Sequence, residues 1–193
     1  APEALLEKPG QWKATGFEPG GGGVVYSGQS TQQAKEEIWR TSLDHGATPS
    51  QILASAFHNG APSLSPDGRW LAYAANESGR NEVYVRPYPG PGGRWQVSLG
   101  GGTEPIWSPR GGEIFYRSSD SVMTAAVRTQ PGFEVTGRTR LFTGQYNPGV
   151  VRDHNYSVAP DGNSFVMLQR VVSAEQALVV TLNWFDQLRA KKK

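Results

Sequence analysis

A turn sequence of the Ser-Pro-Asp-Gly type recurs along this chain at nearly even spacing, and this repeat restricts the fold more than any other feature. Clear copies begin at Ser65, Ser108 and Ala159, and a weaker copy begins at Glu18. Positions 18, 65, 108 and 159 are 47, 43 and 51 residues apart. Periods of about 40–50 residues are typical of β-propellers, in which each repeat forms one four-stranded blade around a central channel.

The residues around each turn favour short antiparallel strands. Proline presets φ in such turns, and glycine accepts a positive φ. The apolar strands that follow the four turns end at Tyr26, Tyr73, Tyr116 and Met167. Many strands alternate apolar and polar side chains, as antiparallel strands do. We therefore predict an all-β fold, a partial or small β-propeller of about four four-stranded blades.

The C-terminal end departs from the repeat. Trp184, Phe185 and Leu188 have helical spacing and predict a short C-terminal helix. We expect a single propeller domain over residues 1–193, with blades at approximately 12–56, 57–102, 103–145 and 146–188. The last repeat shows no outer strand after Leu182, and an open blade edge exposes unpaired backbone groups. Self-association through an open blade edge or membership of a longer propeller is expected, and a closed four-bladed ring is the third alternative.

Composition excludes several classes of partner and chemistry. The net charge is +2, and the basic residues form no stripe apart from the tail at 191–193, so nucleic acid is not an expected partner. No segment is apolar enough to span a bilayer, so direct membrane insertion is not expected. The chain has no cysteine, which excludes thiolate nucleophiles and thiolate metal sites. An extracytoplasmic and a cytoplasmic location both stay open.

The sequence carries no catalytic signature. The glycine run 20–23 leads into the apolar strand at Val24, whereas a phosphate-binding loop leads into a helix. A Gly-x-Ser-x-Gly nucleophile elbow is missing. We therefore predict no catalytic residues and favour a protein that is not an enzyme.

Polar residues cluster just before three of the predicted inner strands. They are His58 and Asn59, Glu104, and Arg152, Asp153 and His154. The starts of inner strands face one mouth of the propeller channel, so these side chains are predicted to converge there as a ligand site. A mixed site of this kind could bind a divalent metal, a sugar or an anionic ligand, and no other cofactor is expected. The alternative is a polar rim that only solvates the channel mouth.

Two stretches carry a family resemblance. Residues 62–73, Pro-Ser-Leu-Ser-Pro-Asp-Gly-Arg-Trp-Leu-Ala-Tyr, and 81–85, Asn-Glu-Val-Tyr-Val, resemble the WD-like repeats of TolB-type propellers. Residues 76–90, 93–98 and 179–185 resemble more closely the C-terminal propeller region of bacterial serine/threonine protein kinases. The kinase catalytic motifs themselves are missing from this sequence. The resemblance therefore implies a sensor or interaction segment.

Three functional hypotheses follow. The first is a non-catalytic module that binds a protein or a small ligand and is the sensor or interaction region of a larger kinase-like protein. The second is an esterase-like or peptidase-like hydrolase, or an accessory domain of one, because TolB-like blades also accompany serine peptidases. The third is a purely structural oligomer built by edge pairing.

Overall fold

The computed structural model describes residues 8–31, 34–147, 154–168 and 178–181. Arg152, Asp153 and the helix expected over 183–188 lie outside these residues. Throughout the described ranges the regular structure is β-strand, and no helix there is long and apolar enough to cross a membrane.

Within the described residues, fifteen strands form four antiparallel sheets, each built from consecutive strands. Blade 1 contains β1 (Gln11–Phe17), β2 (Gly23–Gln29), β3 (Glu37–Ser42) and β4 (Ser50–Leu53). Blade 2 contains β5 (Asn59–Leu64), β6 (Trp70–Ala75), β7 (Glu82–Pro87) and β8 (Trp95–Gln96). Blade 3 contains β9 (Thr103–Trp107), β10 (Glu113–Ser118), β11 (Ser121–Arg128) and β12 (Glu134–Thr143). Blade 4 contains β13 (Tyr156–Val158), β14 (Phe165–Leu168) and β15 (Leu178–Thr181) among the described residues. The predicted all-β propeller is confirmed.

The four predicted turns share one hydrogen-bond pattern. At Ser65 the backbone N–H donates to the Trp70 carbonyl at 2.9 Å, and the Gly68 N–H donates back to the Ser65 carbonyl at 2.8 Å. The same two bonds form in the turns that begin at residues 18, 108 and 159. Gly68 has a φ of 67°, which explains the glycine at this position of the repeat.

Apolar clusters lie at the three junctions between consecutive blades. Between blades 1 and 2, Val25 and Ile38 pack with Leu71 and Tyr73. The clusters between blades 2 and 3 and between blades 3 and 4 are built in the same way. Each junction therefore buries one apolar face of each of two sheets, as sheet packing requires.

A polar contact reinforces the first junction at the surface. Arg40 donates two hydrogen bonds to the Glu18 carboxylate at 2.7 and 3.0 Å, and the Tyr88 hydroxyl donates to the same carboxylate. The hydrogen bonds from Arg40 lower the pKa of Glu18. Through this hydroxyl, Tyr88 connects blade 2 to blade 1.

Candidate functional site

The first strands of all four blades surround a common cavity of about 390 Å³. The lining residues on these strands are Thr15, Gly16 and Phe17 of β1, Pro62, Ser63 and Leu64 of β5, Ile106 of β9, and Tyr156 and Ser157 of β13. His154, which directly precedes β13, also contributes to the wall. This cavity is the candidate functional site, because ligand sites are usually concave, mostly apolar and supplied with a few polar groups.

Two of the inner strands contain the same backbone irregularity beside the cavity. Ala61 in β5 and Glu104 in β9 have φ values of 48° and 54°, and each directly precedes a proline. The strand register shifts at both places, so each pair of residues forms a β-bulge. A left-handed backbone conformation costs a non-glycine residue about 1 kcal/mol or more. A following proline further restricts the backbone conformation of that residue. Strain of this kind concentrates at functional sites.

Glu104 connects blade 3 to blade 4. Its side chain is fully buried, and its Oε2 accepts a hydrogen bond from the Asn155 backbone N–H at 2.5 Å. Its backbone carbonyl accepts a hydrogen bond from the Tyr156 hydroxyl at 2.9 Å. Burial, together with the Glu104 carboxylate, raises the pKa of Tyr156 well above its ordinary value. The carboxylate is therefore engaged with the next blade, and a ligand role for it stays a prediction.

His154 lies on the cavity wall in a defined orientation. Its Nε2 is 2.9 Å from the carbonyl oxygen of Pro105. Because a carbonyl can only accept, this nitrogen carries the proton and donates. The bulge at Glu104 and Pro105 thus holds residues 154–156 of blade 4 at three points.

His58 and Asn59 lie at a different junction. The Asn59 side-chain amide donates to Ser55 Oγ at 2.9 Å and to the Phe57 carbonyl at 3.0 Å, and its backbone N–H donates to the Glu36 carbonyl at 3.2 Å. The His58 backbone N–H donates to Asn76 Oδ1 at 3.0 Å. The bond to the Glu36 carbonyl connects blade 2 to blade 1, whereas the other contacts lie within blade 2 and the loop that precedes it.

The structure thus brings together Glu104 and His154 beside the bulge of blade 3, whereas Asn59 is buried near the junction of blades 1 and 2, and its ligand role stays a prediction. Within the described ranges, no three His, Asp or Glu side chains form a group that could hold a metal ion. The divalent metal stays a prediction, since two of the six predicted site residues are not described.

Sequence reasoning missed most of the cavity wall. It selected charged and polar residues, whereas the cavity is lined by Phe17, Pro62 and Ile106 together with hydroxyl groups such as those of Thr15 and Ser157. Phe17 is 70% exposed. The available signal was a large apolar residue directly before the turn of a blade. Phe17 occupies this repeat position in blade 1 and Leu64 occupies it in blade 2, and both line the cavity.

Two serines on the wall have structural partners. Ser63 Oγ accepts a hydrogen bond from the Trp107 backbone N–H at 3.0 Å. Ser65 Oγ donates to Asp67 at 2.5 Å and accepts from the Trp70 N–H at 3.0 Å. Neither hydroxyl is hydrogen-bonded to a histidine, the usual base of a serine nucleophile, and the Asp67 carboxylate beside Ser65 is ion-paired with Arg69 within the turn.

Comparison with known proteins agrees with this fold. TolB from Acinetobacter baumannii superposes with a TM-score of 0.71 at 19% identity, covering 93% of this chain and 43% of that chain. The propeller in a nidogen/laminin complex gives 0.56 at 16% identity, over 79% of this chain and 54% of that chain. A puromycin-hydrolyzing peptidase of Mycobacterium tuberculosis gives 0.63 at 17% identity, over 88% and 29%. At these identities the likeness shows the fold alone, and the predicted similarity to TolB-type propellers is confirmed at that level.

Sequence comparison gives a more limited result. No family model matches the chain. An uncharacterized protein of Agrobacterium fabrum (strain C58) is 28% identical over 171 residues, which are 83% of this chain and 55% of that relative. The chain therefore spans about half the length of this relative and of TolB.

Proposed function

We propose that this chain is a non-catalytic β-propeller module that binds a protein segment or a small ligand in its central cavity. One observation carries the proposal: the first strands of all four blades contribute side chains to the same cavity of about 390 Å³. Such a volume accommodates a small molecule or one large side chain of a partner protein.

The lining indicates the chemistry of the ligand. Phe17, Pro62 and Ile106 supply apolar contact, and Thr15 and Ser157 supply hydroxyl groups. A neutral group with an aromatic or aliphatic body matches these walls better than an ion does. An apolar side chain on an extended peptide segment satisfies this requirement, and the propeller in the nidogen/laminin structure belongs to a protein complex.

The proposed setting is a larger protein. The chain spans about half the length of the relatives that it matches, and residues 76–90 resemble the propeller region of bacterial serine/threonine kinases. In that setting the module is the sensor or interaction region, and binding in the cavity reports the presence of a ligand to the rest of the protein.

The second candidate is a hydrolase or the accessory domain of one. The similarity in fold to the puromycin-hydrolyzing peptidase favours it. The contacts of the candidate base and nucleophiles do not favour a hydrolase. The His154 Nε2 donates to a carbonyl, and the hydroxyl groups of Ser63 and Ser65 bond to structural partners.

An NMR titration distinguishes these candidates. N-acetyl-phenylalaninamide is added as the neutral apolar probe and acetate as the anionic probe. We expect the apolar probe to shift the amide signals of Thr15, Phe17 and Ser157, with millimolar affinity, and acetate to leave them in place. The same probe should shift these signals much less in Ser157→Trp, which fills the cavity. It should shift them as in the wild type in Thr139→Trp, which adds a tryptophan on the exposed outer strand of blade 3.

Two results would contradict the proposal. The first is a set of shifts that is equal in wild type and Ser157→Trp, because the probe would then bind elsewhere. The second is hydrolysis of ester or peptide substrates by the wild type that disappears in His154→Ala, which would establish the hydrolase.

A further inference from the structure

One repeat position contributes a residue from every blade to the wall of the cavity. It lies two residues before the first residue of each turn, at positions 18, 65, 108 and 159. The residues at this position are Gly16 of β1, Ser63 of β5, Ile106 of β9 and Ser157 of β13, and all four line the cavity. We call these four residues the cavity ring. Because consecutive inner strands are neighbours, Ser63 lies between Gly16 on one side and Ile106 on the other.

Several other polar groups of the wall already donate their hydrogens within the protein. The Thr15 hydroxyl donates to the Val25 carbonyl of the neighbouring strand at 3.0 Å. Ser65 donates within its own turn at 2.5 Å. The Tyr156 hydroxyl and the His154 Nε2 each donate to a backbone carbonyl of blade 3 at 2.9 Å. These four hydrogens are therefore not available to a ligand.

The Ser63 hydroxyl is different, because its oxygen is held while its hydrogen is not used. Its Oγ accepts the Trp107 backbone N–H at 3.0 Å, across the junction of blades 2 and 3. Among the described residues, the hydrogen on this oxygen has no acceptor. A serine hydroxyl can accept and donate at the same time, and Ser63 is only partly buried. The cavity ring thus offers a ligand one positioned hydrogen-bond donor.

The surroundings of Ser63 indicate the group that it would meet. Ile106 supplies an apolar side chain on one side. On the other side there is open space, because a Cβ added to Gly16 would meet no atom within 4 Å. None of the described residues on the wall is Lys, Arg, Asp or Glu. Burial of an ion without an opposite charge is costly, whereas a neutral carbonyl oxygen accepts one hydrogen bond and requires no counter-charge.

We propose that Ser63 donates a hydrogen bond to a neutral carbonyl oxygen of the ligand and thereby determines which apolar compounds the cavity selects. This inference rests on the proposed function, because it requires that the cavity bind a ligand. The ligand class is an amide or a ketone with an aromatic or aliphatic body. The body lies against Ile106 and in the open space beside Gly16, and the Trp107 N–H holds the Ser63 oxygen in place before the ligand arrives.

Two probes of nearly the same shape test this role. Acetophenone has a carbonyl where α-methylstyrene has a CH₂ group, so only acetophenone can accept the hydrogen bond. NMR titrations that follow the amide signals of Thr15, Phe17 and Ser157 give the ratio of the two affinities. Removal of the carbonyl from water costs the same in every variant, so it cancels when ratios are compared. In Ser63→Ala we expect the affinity for acetophenone to fall by about three- to tenfold relative to that for α-methylstyrene.

Three further variants separate this role from a structural one. Ser63→Ala also removes the acceptor of the Trp107 N–H, but a loosened wall affects both probes and leaves the ratio unchanged. Ser63→Thr keeps the hydroxyl and should restore the wild-type ratio. Ser157→Ala removes the other serine of the cavity ring, whose hydroxyl has no partner among the described residues to hold it, and should change the ratio by less than about twofold. Ser63→Cys, with a weak donor and acceptor, should lower the ratio in the same direction and replaces Ser63→Ala if that variant fails to fold.

The outcomes distinguish this inference from the proposed function. If both probes bind and the ratio is the same in wild type and Ser63→Ala, Ser63 does not select the ligand, and the proposed binding module stands without it. A ratio in Ser63→Thr that equals the ratio in Ser63→Ala also removes the inference. If neither probe nor N-acetyl-phenylalaninamide shifts the signals of the wild type, the proposed function is contradicted, and the role of Ser63 falls with it.

Discussion

Glu104→Ala tests whether the bulge beside the cavity connects blades 3 and 4 through its side chain. Ala61 occupies the equivalent position of blade 2 with a φ of 48°, against 54° at Glu104, and both residues precede proline. The backbone of this bulge therefore accommodates alanine. The substitution removes the side-chain contacts and keeps the backbone conformation.

The expected change in the free energy of unfolding follows from the hydrogen bond that Glu104→Ala removes. Oε2 of Glu104 accepts the Asn155 N–H at 2.5 Å, and the side chain is fully buried. Hydrogen bonds to charged acceptors contribute about 1.5–3 kcal/mol, and release of the buried carboxylate offsets part of this, so we expect a loss of about 2 kcal/mol in the free energy of unfolding. With a urea m value of about 2 kcal/mol/M, the midpoint falls by about 1 M.

Urea titration followed by fluorescence measures the midpoint, and hydrogen exchange of the Asn155 amide measures the contact itself. Glu104→Gln keeps an acceptor oxygen and should lose less stability than Glu104→Ala. The reasoning is refuted if Glu104→Ala unfolds at the wild-type midpoint with the Asn155 amide still protected.

Three further predictions concern other parts of the molecule. Arg40→Gln should lower the free energy of unfolding at pH 7 by about 1 kcal/mol after allowance for solvent screening. Folding lowers the pKa of Glu18, so the stability that this ion pair contributes is complete above the ordinary glutamate pKa of about 4.3. It disappears as the pH falls through the lowered pKa of the folded state. In urea titrations between pH 5 and 3, Arg40→Gln should therefore lose less stability than the wild type. Gly28→Ala should destabilise blade 1 by about 2 kcal/mol in thermal unfolding, because a Cβ there would overlap the backbone of β1, whereas Gly16→Ala, with open space around it, should be nearly neutral. Zinc and calcium calorimetry tests the predicted metal site: less metal bound by His154→Ala than by wild type supports it, and equal binding removes it.

The sequence predicts the fold well because the information is local. The turn that begins at Ser65 needs glycine at position 68 for its positive φ, and Ser65 Oγ accepts the N–H groups of Arg69 and Trp70. Each requirement involves residues within a few positions of one another. Repetition of this local pattern then fixes the number and order of the blades.

The candidate site is predicted less well because its wall is assembled from distant positions. Phe17, Ile106 and Ser157 are far apart in sequence and come together only when the inner strands converge. Sequence reasoning selected polar residues by chemical type, and it could not show that Asn59 bonds to Ser55 within its own loop. The side-chain partner of a polar residue, which decides between packing and binding, depends on tertiary structure.

Among the described residues, the carboxylates of Glu82 and Glu104 are fully buried, and their contacts show how the molecule uses charge. Glu82 accepts hydrogen bonds from Arg80 at 2.7 Å and from the Gly101 N–H at 2.9 Å, and it also bonds to Ser98. Glu104 accepts from the Asn155 N–H of the next blade. Both acids hold loops and strands in place through hydrogen bonds that offset part of the cost of their burial. Since these acids are engaged in the scaffold, the binding that we propose for the cavity relies on its apolar wall and hydroxyl groups. For this reason a neutral apolar probe discriminates better than an ion between the proposed binding module and the hydrolase.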